Sequence, residues 1–349
     1  MKNRMIEFDT TKVFLIVLVV FAHVTRMYTP SGVVKISVQS NLLIGITNFI
    51  YLFHMPAFIA VSGAVFYHIK RERKKHPYNK AFIMNKTRKL LIPYFFFTLF
   101  YVLPTLLVIG ELRSLFGFIV RNVFFLGGPN HLWYAVMIFN VFIIFGFLEN
   151  KIHSFSPILN FSILLLVGYL SFLIPNLFQA RNTAYYILYF YLGYVYQQHR
   201  DKVNLVANKS LVMFSSLFIL LIMFVSLYHI EIDFGYTVNW FLRVIAATSG
   251  TVFLYSFSVF ASEVFLIKNS IVETINLDLF GIYLFHPMII YLLFYSIRDI
   301  QHNPYLVTVL FTMISFLLSM VFVRLFRILK INILIGESPN QVRIKANAL

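Results

Sequence analysis

The sequence predicts an all-α protein that crosses a membrane many times. Its composition is apolar, its charged residues are few, and its apolar runs have the length of membrane spans. Of the 349 residues, 60% are hydrophobic and only 12% are charged, and the mean hydropathy is +0.80. Soluble domains average about 25% charged residues, so this chain lacks the polar side chains to cover a water-facing surface of its size. The same apolar content excludes intrinsic disorder.

Ten stretches of the chain are candidates for spans, each close to the roughly 20 apolar residues that a span requires. They run approximately over 11–29, 43–67, 90–109, 131–148, 157–175, 184–198, 211–229, 238–260, 275–297 and 304–327. The sixth is short and rich in tyrosine. The stretch 112–126 is apolar but carries two arginines, so we expect an interfacial helix or a re-entrant segment there. We predict one transmembrane domain over 1–335 and a short cytoplasmic tail over 336–349.

The distribution of basic residues predicts the orientation. With ten spans and the N-terminus inside, 22 Lys and Arg fall on the cytoplasmic side and 7 on the outer side. This bias is the positive-inside pattern, and it places both termini in the cytoplasm. It also accounts for most of the net charge of +16 without nucleic acid as a partner. We therefore expect a multi-pass membrane protein whose principal surroundings are the lipid bilayer.

Several kinds of chemistry are excluded by what the sequence lacks. It has no cysteine, so it has neither a thiolate metal site nor a catalytic thiol. It contains no phosphate-binding glycine loop, no dinucleotide fingerprint and no metal-binding motif, and we expect no metal cofactor. Any catalysis must therefore use residues in or near the spans.

The first span carries the strongest set of ionisable residues. Asp9, Lys12 and His23 lie in or beside an apolar helix, where charged side chains cost about 2.5–3.5 kcal/mol on insertion scales and so indicate function. Lys12 and His23 are eleven residues apart, which returns to within about 20° of one helix face over a rise of about 16 Å. Lys12 is expected at the cytoplasmic edge, with His23 pointing the same way from inside the membrane. Asp9 could orient Lys12 from the preceding turn.

The second span contains a histidine at a similar depth. His54 precedes Pro56, which removes a backbone hydrogen bond and can kink the helix, and Ser62-Gly63 permits close helix packing. We expect His54 and His23 to share a cavity. A hydrogen-bonded structural role is the alternative for either histidine.

Later spans supply further candidates. His131 and Trp133 open the fourth span, where a membrane-interface aromatic belt is the alternative for Trp133. Arg243 lies near the outer end of the eighth span, and it could snorkel to the surface or hold an anionic group. His286, next to Pro287, lies near the middle of the ninth span, where a kink and a cavity role are both open.

The densest basic segment is 70–89. Attraction to anionic lipid, at roughly 1 kcal/mol per basic residue, accounts for most of it. Binding of a phosphate-rich cytoplasmic donor is the alternative for the residues nearest the third span, which are Lys86, Arg88 and Lys89.

Five segments together resemble the membrane-bound acyltransferase family 3, especially its fucose 4-O-acetylase-like and exopolysaccharide O-acyltransferase branch. They occur in the family's order over almost the whole chain, at 9–23, 53–63, 88–94, 131–134 and 283–287. Lys12 stands where much of the family has Arg, and the branch resembled here commonly has Lys.

The resemblance implies transfer of an acyl group, most often acetyl, from cytoplasmic acyl-CoA to a hydroxyl of an envelope glycan, and it implies the bacterial plasma membrane as the location. It implies His23, Asp9 and His54 as catalytic residues and Lys12, Arg88 and Lys89 as donor-binding residues. His131, Trp133, Arg243 and His286 are then candidates for binding the acceptor. His23 could be a general base or a transient acyl carrier. The alternatives are a transporter or flippase for a lipid-linked glycan, and a non-catalytic partner of a polysaccharide synthase.

Overall fold

The computed structural model describes residues 6–72, 78–206, 209–230, 234–264 and 269–337, and every regular element within these ranges is helical. The α-helices are α1 (Ile6–Thr25), α2 (Asn41–Tyr51), α3 (His54–Tyr67), α4 (Lys80–Lys86), α5 (Ile92–Phe97), α6 (Leu103–Val108), α7 (Leu115–Ile119), α8 (Trp133–Ser154), α9 (Pro157–Tyr169), α10 (Ala180–Gln198), α11 (Arg200–Val206), α12 (Lys209–Tyr228), α13 (Gly235–Val264), α14 (Asn269–Ile297) and α15 (Pro304–Ile328). The predicted all-α membrane fold is confirmed.

Eight helical segments within the described ranges are long and apolar enough to cross a membrane. They are Glu7–Tyr28, Asn41–Arg71, Lys80–Val108, Asn130–Ser154, Ser210–Tyr228, Gly235–Ala261, Ser270–Ile297 and Pro304–Ile328. Each coincides with one of the ten predicted spans.

The two remaining predicted spans, 157–175 and 184–198, correspond to α9 and α10. These two helices run between the two ends of the bundle that the longer helices also connect. The apolar segment Pro157–Leu173 is shorter than a full span. At the start of α10, the Phe178 N–H donates to the Phe125 carbonyl at 2.8 Å, and near its end the Tyr194 hydroxyl donates to Glu149 Oε1 at 2.9 Å. The chain thus leaves the Glu149 end of α8 along α9 and returns along α10. The polarity of α10 is tolerated because Tyr189, Tyr191 and Tyr194 are buried in the bundle rather than facing lipid.

Proline interrupts two of the spans at defined points. In Asn41–Arg71 the helix opens at Leu52–Phe53, just before Pro56, whose missing N–H leaves the preceding turn without its usual hydrogen bond. In Lys80–Val108, α5 and α6 each have proline in their first turn, and π-helical turns connect them to the preceding helix. The predicted kink at Pro56 is confirmed.

The innermost helices are the ones that carry the candidate site residues. Buried residues make up 72% of the apolar stretch of Ser270–Ile297 and 67% of that of Glu7–Tyr28, against 17% for Ser210–Tyr228. Asn41–Arg71 is as buried as the first span. Polar side chains on these inner helices are thereby shielded from lipid, which lowers the cost of retaining them.

The helix pair α3 and α10 is packed backbone against backbone. Gly63 lies against the carbonyl of Phe190, and Gly193 lies against the carbonyl of Ala60. A side chain at either glycine would overlap those carbonyl groups, so the small residue is required for the approach. The prediction that Ser62-Gly63 allows close packing is confirmed.

Replacement of Gly63 by Ala is expected to destabilise the protein, because the added methyl overlaps backbone that cannot move independently. Overpacking of this kind costs about 1–3 kcal/mol or more. The matched control is Gly45→Ala in α2, where an added Cβ meets nothing within 4 Å. The measurement is the thermal unfolding midpoint in detergent, and equal midpoints for the two variants would contradict the packing described here.

The stretch 112–126 forms a short helical segment, Leu115–Phe124, which is too short to cross a membrane. This agrees with the expectation of an interfacial or re-entrant segment. Arg327 of α15 forms ion pairs with Asp278 Oδ1 at 2.5 Å and with Oε1 of Glu337, the second residue of the predicted tail, at 2.6 Å. Beyond Glu337, the predicted tail lies outside the described residues.

The predicted orientation can be tested at the two ends of the third span. The natural chain has no cysteine, so single cysteines can be labelled without background. We expect a membrane-impermeant maleimide to label Glu111→Cys in intact cells, and Lys80→Cys only after permeabilisation. Both positions are exposed. Labelling of Lys80→Cys in intact cells would overturn the cytoplasmic assignment of the basic segment.

Candidate functional site

One cavity of about 490 Å³ lies among the inner helices and brings together most of the predicted site residues. Within the described ranges, five basic side chains and three histidines line it, while neither Asp nor Glu does: Lys12, Arg26, Lys70, Lys86, Lys89, His23, His54 and His131. We call the end with Lys12, Lys70, Lys86 and Lys89 the basic end. The opposite end, with Arg26, Asn130 and Trp133, we call the far end.

The first span forms one wall of the cavity along much of its length. Lys12, Val19, His23 and Arg26 line it, at the i, i+7, i+11 and i+14 positions of one helical stripe. Fourteen residues of helix correspond to about 21 Å, so this wall covers some two-thirds of a hydrocarbon core of about 30 Å. The prediction that Lys12 and His23 share a face is confirmed.

Asp9 does not line the cavity, but it forms an ion pair with Lys12, which does. The Lys12 Nζ donates to Asp9 Oδ1 at 2.7 Å, and the Asn276 side chain of α14 donates to the Asp9 carbonyl at 2.9 Å. Asp9 is therefore placed to orient Lys12, while its own carboxylate does not face the space where a substrate would react.

The break before Pro56 determines the orientation of His54. His54 is buried, and its Nδ1 lies 2.9 Å from the carbonyl of Ile50. A carbonyl only accepts, so Nδ1 carries the proton, and in a neutral imidazole Nε2 is then a bare acceptor. Tyr51 lies beside it, with ring centroids 4.8 Å apart. His54 lines the cavity, as predicted.

His131 is held at the cavity by the turn that precedes α8 and by α14. Gly128 adopts φ +66°, and a Cβ there would overlap Trp133, so the chain can fold back at this point only with glycine. The Tyr283 hydroxyl donates to the His131 carbonyl at 2.6 Å, and His131 Nε2 donates to the Leu284 carbonyl at 3.2 Å. Its Nδ1 is buried, with no hydrogen-bond partner in the described ranges.

His286 lies behind His23 rather than in the cavity lining. It is fully buried, and its Nδ1 donates to the Ile282 carbonyl at 2.8 Å, one turn before Pro287. Nearby, the Tyr101 hydroxyl donates to the Phe285 carbonyl at 2.8 Å, so side chains bond the carbonyls around the proline. The predicted direct contact of His286 with an acceptor is not supported by this position.

Three histidines from three spans form a cluster at mid-depth. The His286 ring centroid is 5.0 Å from that of His23 and 5.9 Å from that of His131. His23 Nδ1 and His286 Nε2 are buried and lack hydrogen-bond partners among the residues that the structure describes. Imidazole nitrogens that are not engaged by the protein can accept or carry a proton, which is the requirement for a general base.

Part of the basic end is formed by one face of the beginning of the third span, Lys80–Val108. Phe82, Asn85, Lys86 and Lys89 line the cavity at helical i, i+3, i+4 and i+7 spacing. Arg88 is exposed and does not line it, because two residues beyond Lys86 correspond to about half a helical turn. Of the predicted donor-binding residues in this segment, Lys89 lines the cavity and Arg88 does not, and Lys86 lines it beside Lys89.

The ammonium groups at this end have neighbours in the protein. Lys70 lies 3.3 Å from Glu149 Oε2, and Lys86 Nζ lies 3.2 Å from the centroid of the Phe142 ring. Glu149 is fully buried and also pairs with Arg71. A cavity of about 270 Å³ continues from Lys86 and Lys89 towards Gly336 and Glu337.

Two further predicted site residues, Trp133 and Arg243, differ in whether they line the cavity. Trp133 lines the far end and stacks on Tyr186, with ring centroids 5.4 Å apart, so it is more than a membrane anchor. Arg243 is exposed, and its guanidinium lies over the Tyr228 ring, 5.8 Å from the centroid. Arg243 is not among the described residues that line the cavity. We leave Arg243 out of the site.

A second cavity of about 660 Å³ lies on the other side of Val61. Its lining is mainly apolar and includes Ala57, Ala60 and Gly193, together with the ion pair between Arg200 and Glu7. No histidine is among its described lining residues, so the first cavity is the one equipped for proton transfer.

Arg26, Tyr51 and Asn130 line the cavity and were not predicted as site residues. The signal for Arg26 was present in the sequence, because a charged residue three positions after His23 lies near the same helix face. Nothing in the sequence indicated Tyr51 or Asn130, which reach the cavity through a helix break and a turn.

Comparison with known proteins identifies the family. A family model described as an acyltransferase domain matches residues 5–324. None of the curated proteins and none of the solved structures matches the chain significantly. The match covers nearly the whole chain and includes every described residue that lines the cavity of about 490 Å³. Only the Gly336 side of the smaller adjoining cavity lies beyond the match. The chain therefore belongs to the acyltransferase family 3, and it is a multi-pass membrane acyltransferase.

Proposed function

We propose that this acyltransferase transfers an acyl group, most simply acetyl, from cytoplasmic acyl-CoA to a hydroxyl of a cell-envelope polysaccharide or its lipid-linked precursor in the bacterial plasma membrane. The observation that carries the proposal is one cavity that has lysines at its basic end, histidines at mid-depth and Arg26, Asn130 and Trp133 at its far end. The resemblance to the fucose 4-O-acetylase-like and exopolysaccharide branch supports the choice of acceptor.

The basic end suits the phosphates of coenzyme A. Lys12, Lys86 and Lys89 supply ammonium donors, and such donors form strong charge-assisted hydrogen bonds with phosphate oxygens. The ion pair with Asp9 keeps Lys12 at the mouth. The rise from Lys12 to His23 is about 16 Å, a path along which an extended pantetheine arm can carry the thioester towards the histidines.

His23 is the proposed general base. It accepts the proton of the acceptor hydroxyl while that oxygen attacks the thioester carbonyl, so that a C–O bond forms and the C–S bond breaks. The CoA sulfur leaves as a thiolate and takes up the proton. Alternatively, a ring nitrogen of His23 takes the acyl group first and passes it to the hydroxyl. His286 lies behind the ring of His23, and His54 Nε2 offers a second proton acceptor.

Family membership favours an enzyme over a transporter, flippase or assembly partner. The decisive experiment uses a deletion strain, whose envelope glycan is itself the unacylated acceptor. Purified protein in proteoliposomes should consume acetyl-CoA and attach ester-linked acetyl groups to that glycan. A deletion strain with unchanged ester content but reduced glycan export would overturn the proposal in favour of transport.

A further inference from the structure

The far end of the cavity contains a cation without a carboxylate partner. Arg26 lies one turn beyond His23 and lines the cavity. Its guanidinium lies over the Tyr51 ring, 5.8 Å from the centroid, and it forms no ion pair with an Asp or Glu of the described ranges. At the basic end, by contrast, Lys12 is paired with Asp9 at 2.7 Å and Lys70 with Glu149 at 3.3 Å.

A second group at the same end is a hydrogen-bond donor without an acceptor. Asn130 lines the cavity, and its side-chain nitrogen is buried with no hydrogen-bond partner in the described part of the chain. It lies at φ +51° in the turn that leads into His131, so the local backbone determines where its side chain is presented. An amide N–H and a guanidinium in one cavity both require acceptor atoms, and the cavity has no described acidic residue to supply them.

From these two observations we propose that the acceptor is an acidic glycan, which presents a carboxylate or phosphate substituent to Arg26. This rests on the proposed function. A guanidinium binds such groups through two parallel hydrogen bonds, whereas a neutral sugar would leave it uncompensated. Three residues of helix separate Arg26 from His23, a rise of about 4.5 Å. The acidic group therefore belongs to the sugar that is acylated or to its immediate neighbour. Trp133, at the same end, offers an aromatic surface to a sugar ring.

The test compares two forms of one glycan. The unacylated glycan of the deletion strain is used as isolated, and after its charge is removed by carbodiimide–borohydride reduction of carboxylates or by mild hydrofluoric acid cleavage of phosphates. The wild-type protein should show an acceptor KM about 10- to 100-fold lower for the charged form. Arg26→Gln should raise the KM for the charged form to that of the neutral form. Arg26→Lys should lie between them, since lysine retains the charge without the paired donors.

The control variant is Arg113→Gln, which removes an exposed arginine outside the cavity and should change neither KM. The KM for acetyl-CoA should be the same in all four proteins. Equal use of the charged and neutral glycans by wild type, a deletion-strain glycan without acidic groups, or an equal loss by Arg26→Gln on both forms would each overturn the acidic acceptor. Acylation of neither form would instead overturn the proposed function and this inference with it.

Discussion

The His23→Asn protein is expected to reach the membrane at the wild-type level and to lose nearly all transfer activity. Asparagine keeps a polar group of similar size in a half-buried position, so packing against α14 is largely preserved. It has no nitrogen that can take up a proton from a hydroxyl. General acid–base catalysis contributes about 10²- to 10⁴-fold, so the rate of ester formation should fall by a factor in that range.

The measurement is the ester content and the yield of the envelope glycan from the same strain, with the protein level determined in parallel. The enzyme predicts unchanged yield and lost esters, whereas a transporter predicts reduced yield with esters retained. The matched control is His153→Asn, the same substitution at an exposed histidine outside the cavity. The control should keep its esters, and ester content that survives in His23→Asn as well would exclude His23 as the base.

His23→Asn also separates the two chemical routes that remain open. If the ring nitrogen carries the acyl group, wild-type protein incubated with acetyl-CoA alone should retain one acetyl group, detectable by intact mass, and the variant should not. If His23 acts only as a base, neither protein should retain it. Both results are compatible with loss of transfer in the variant.

Loss of the two inward lysines is expected to have the next largest effect. The double variant Lys86→Ala, Lys89→Ala removes two cations that line the basic end, while the matched control Arg88→Ala removes the exposed cation between them. Hydrogen bonds to charged groups contribute about 1.5–3 kcal/mol each, so the KM for acetyl-CoA should rise by at least about 10- to 100-fold in the double variant.

The control should bind acetyl-CoA as wild type does. The measurement is the rate of acetyl transfer in membranes as a function of donor concentration, at fixed low ionic strength because exposed charges are screened by salt. An equal effect of Arg88→Ala would mean that these residues act through the general positive charge of the surface. An unchanged KM in the double variant would assign the lysines to membrane insertion alone.

The relation between Lys12 and His23 could be predicted because it lies within one helix. A regular helix determines the relative directions of two side chains from their separation alone, and no other part of the chain is needed. The position of Arg88 outside the cavity lining could not be predicted, for the complementary reason. A basic segment contains cations on every face, and the face that meets the cavity depends on how that helix is rotated against its neighbours.

The histidine cluster also required the tertiary structure. His23 and His286 are far apart in the chain, yet their ring centroids are 5.0 Å apart because α1 and α14 pack side by side. The hydrogen bonds that determine the free nitrogens of His54 and His131 use the carbonyls of Ile50 and Leu284. Which carbonyls these imidazoles meet depends on the local helix geometry and on how the helices pack, and sequence reasoning could identify only the prolines nearby.

The sequence by itself determined the membrane environment, the order of the eight long apolar helices of the described ranges and the family motifs, because membrane insertion responds to the length and polarity of each segment separately. It also determined that ionisable residues would have to be shielded from lipid. Only the tertiary structure decided which of those residues share one cavity, that Arg243 and Arg88 lie outside it, and that Arg26 and Asn130 form its far end. The physical reason is that helix–helix packing depends on contacts between distant segments, such as Gly63 against Phe190, which local composition does not encode.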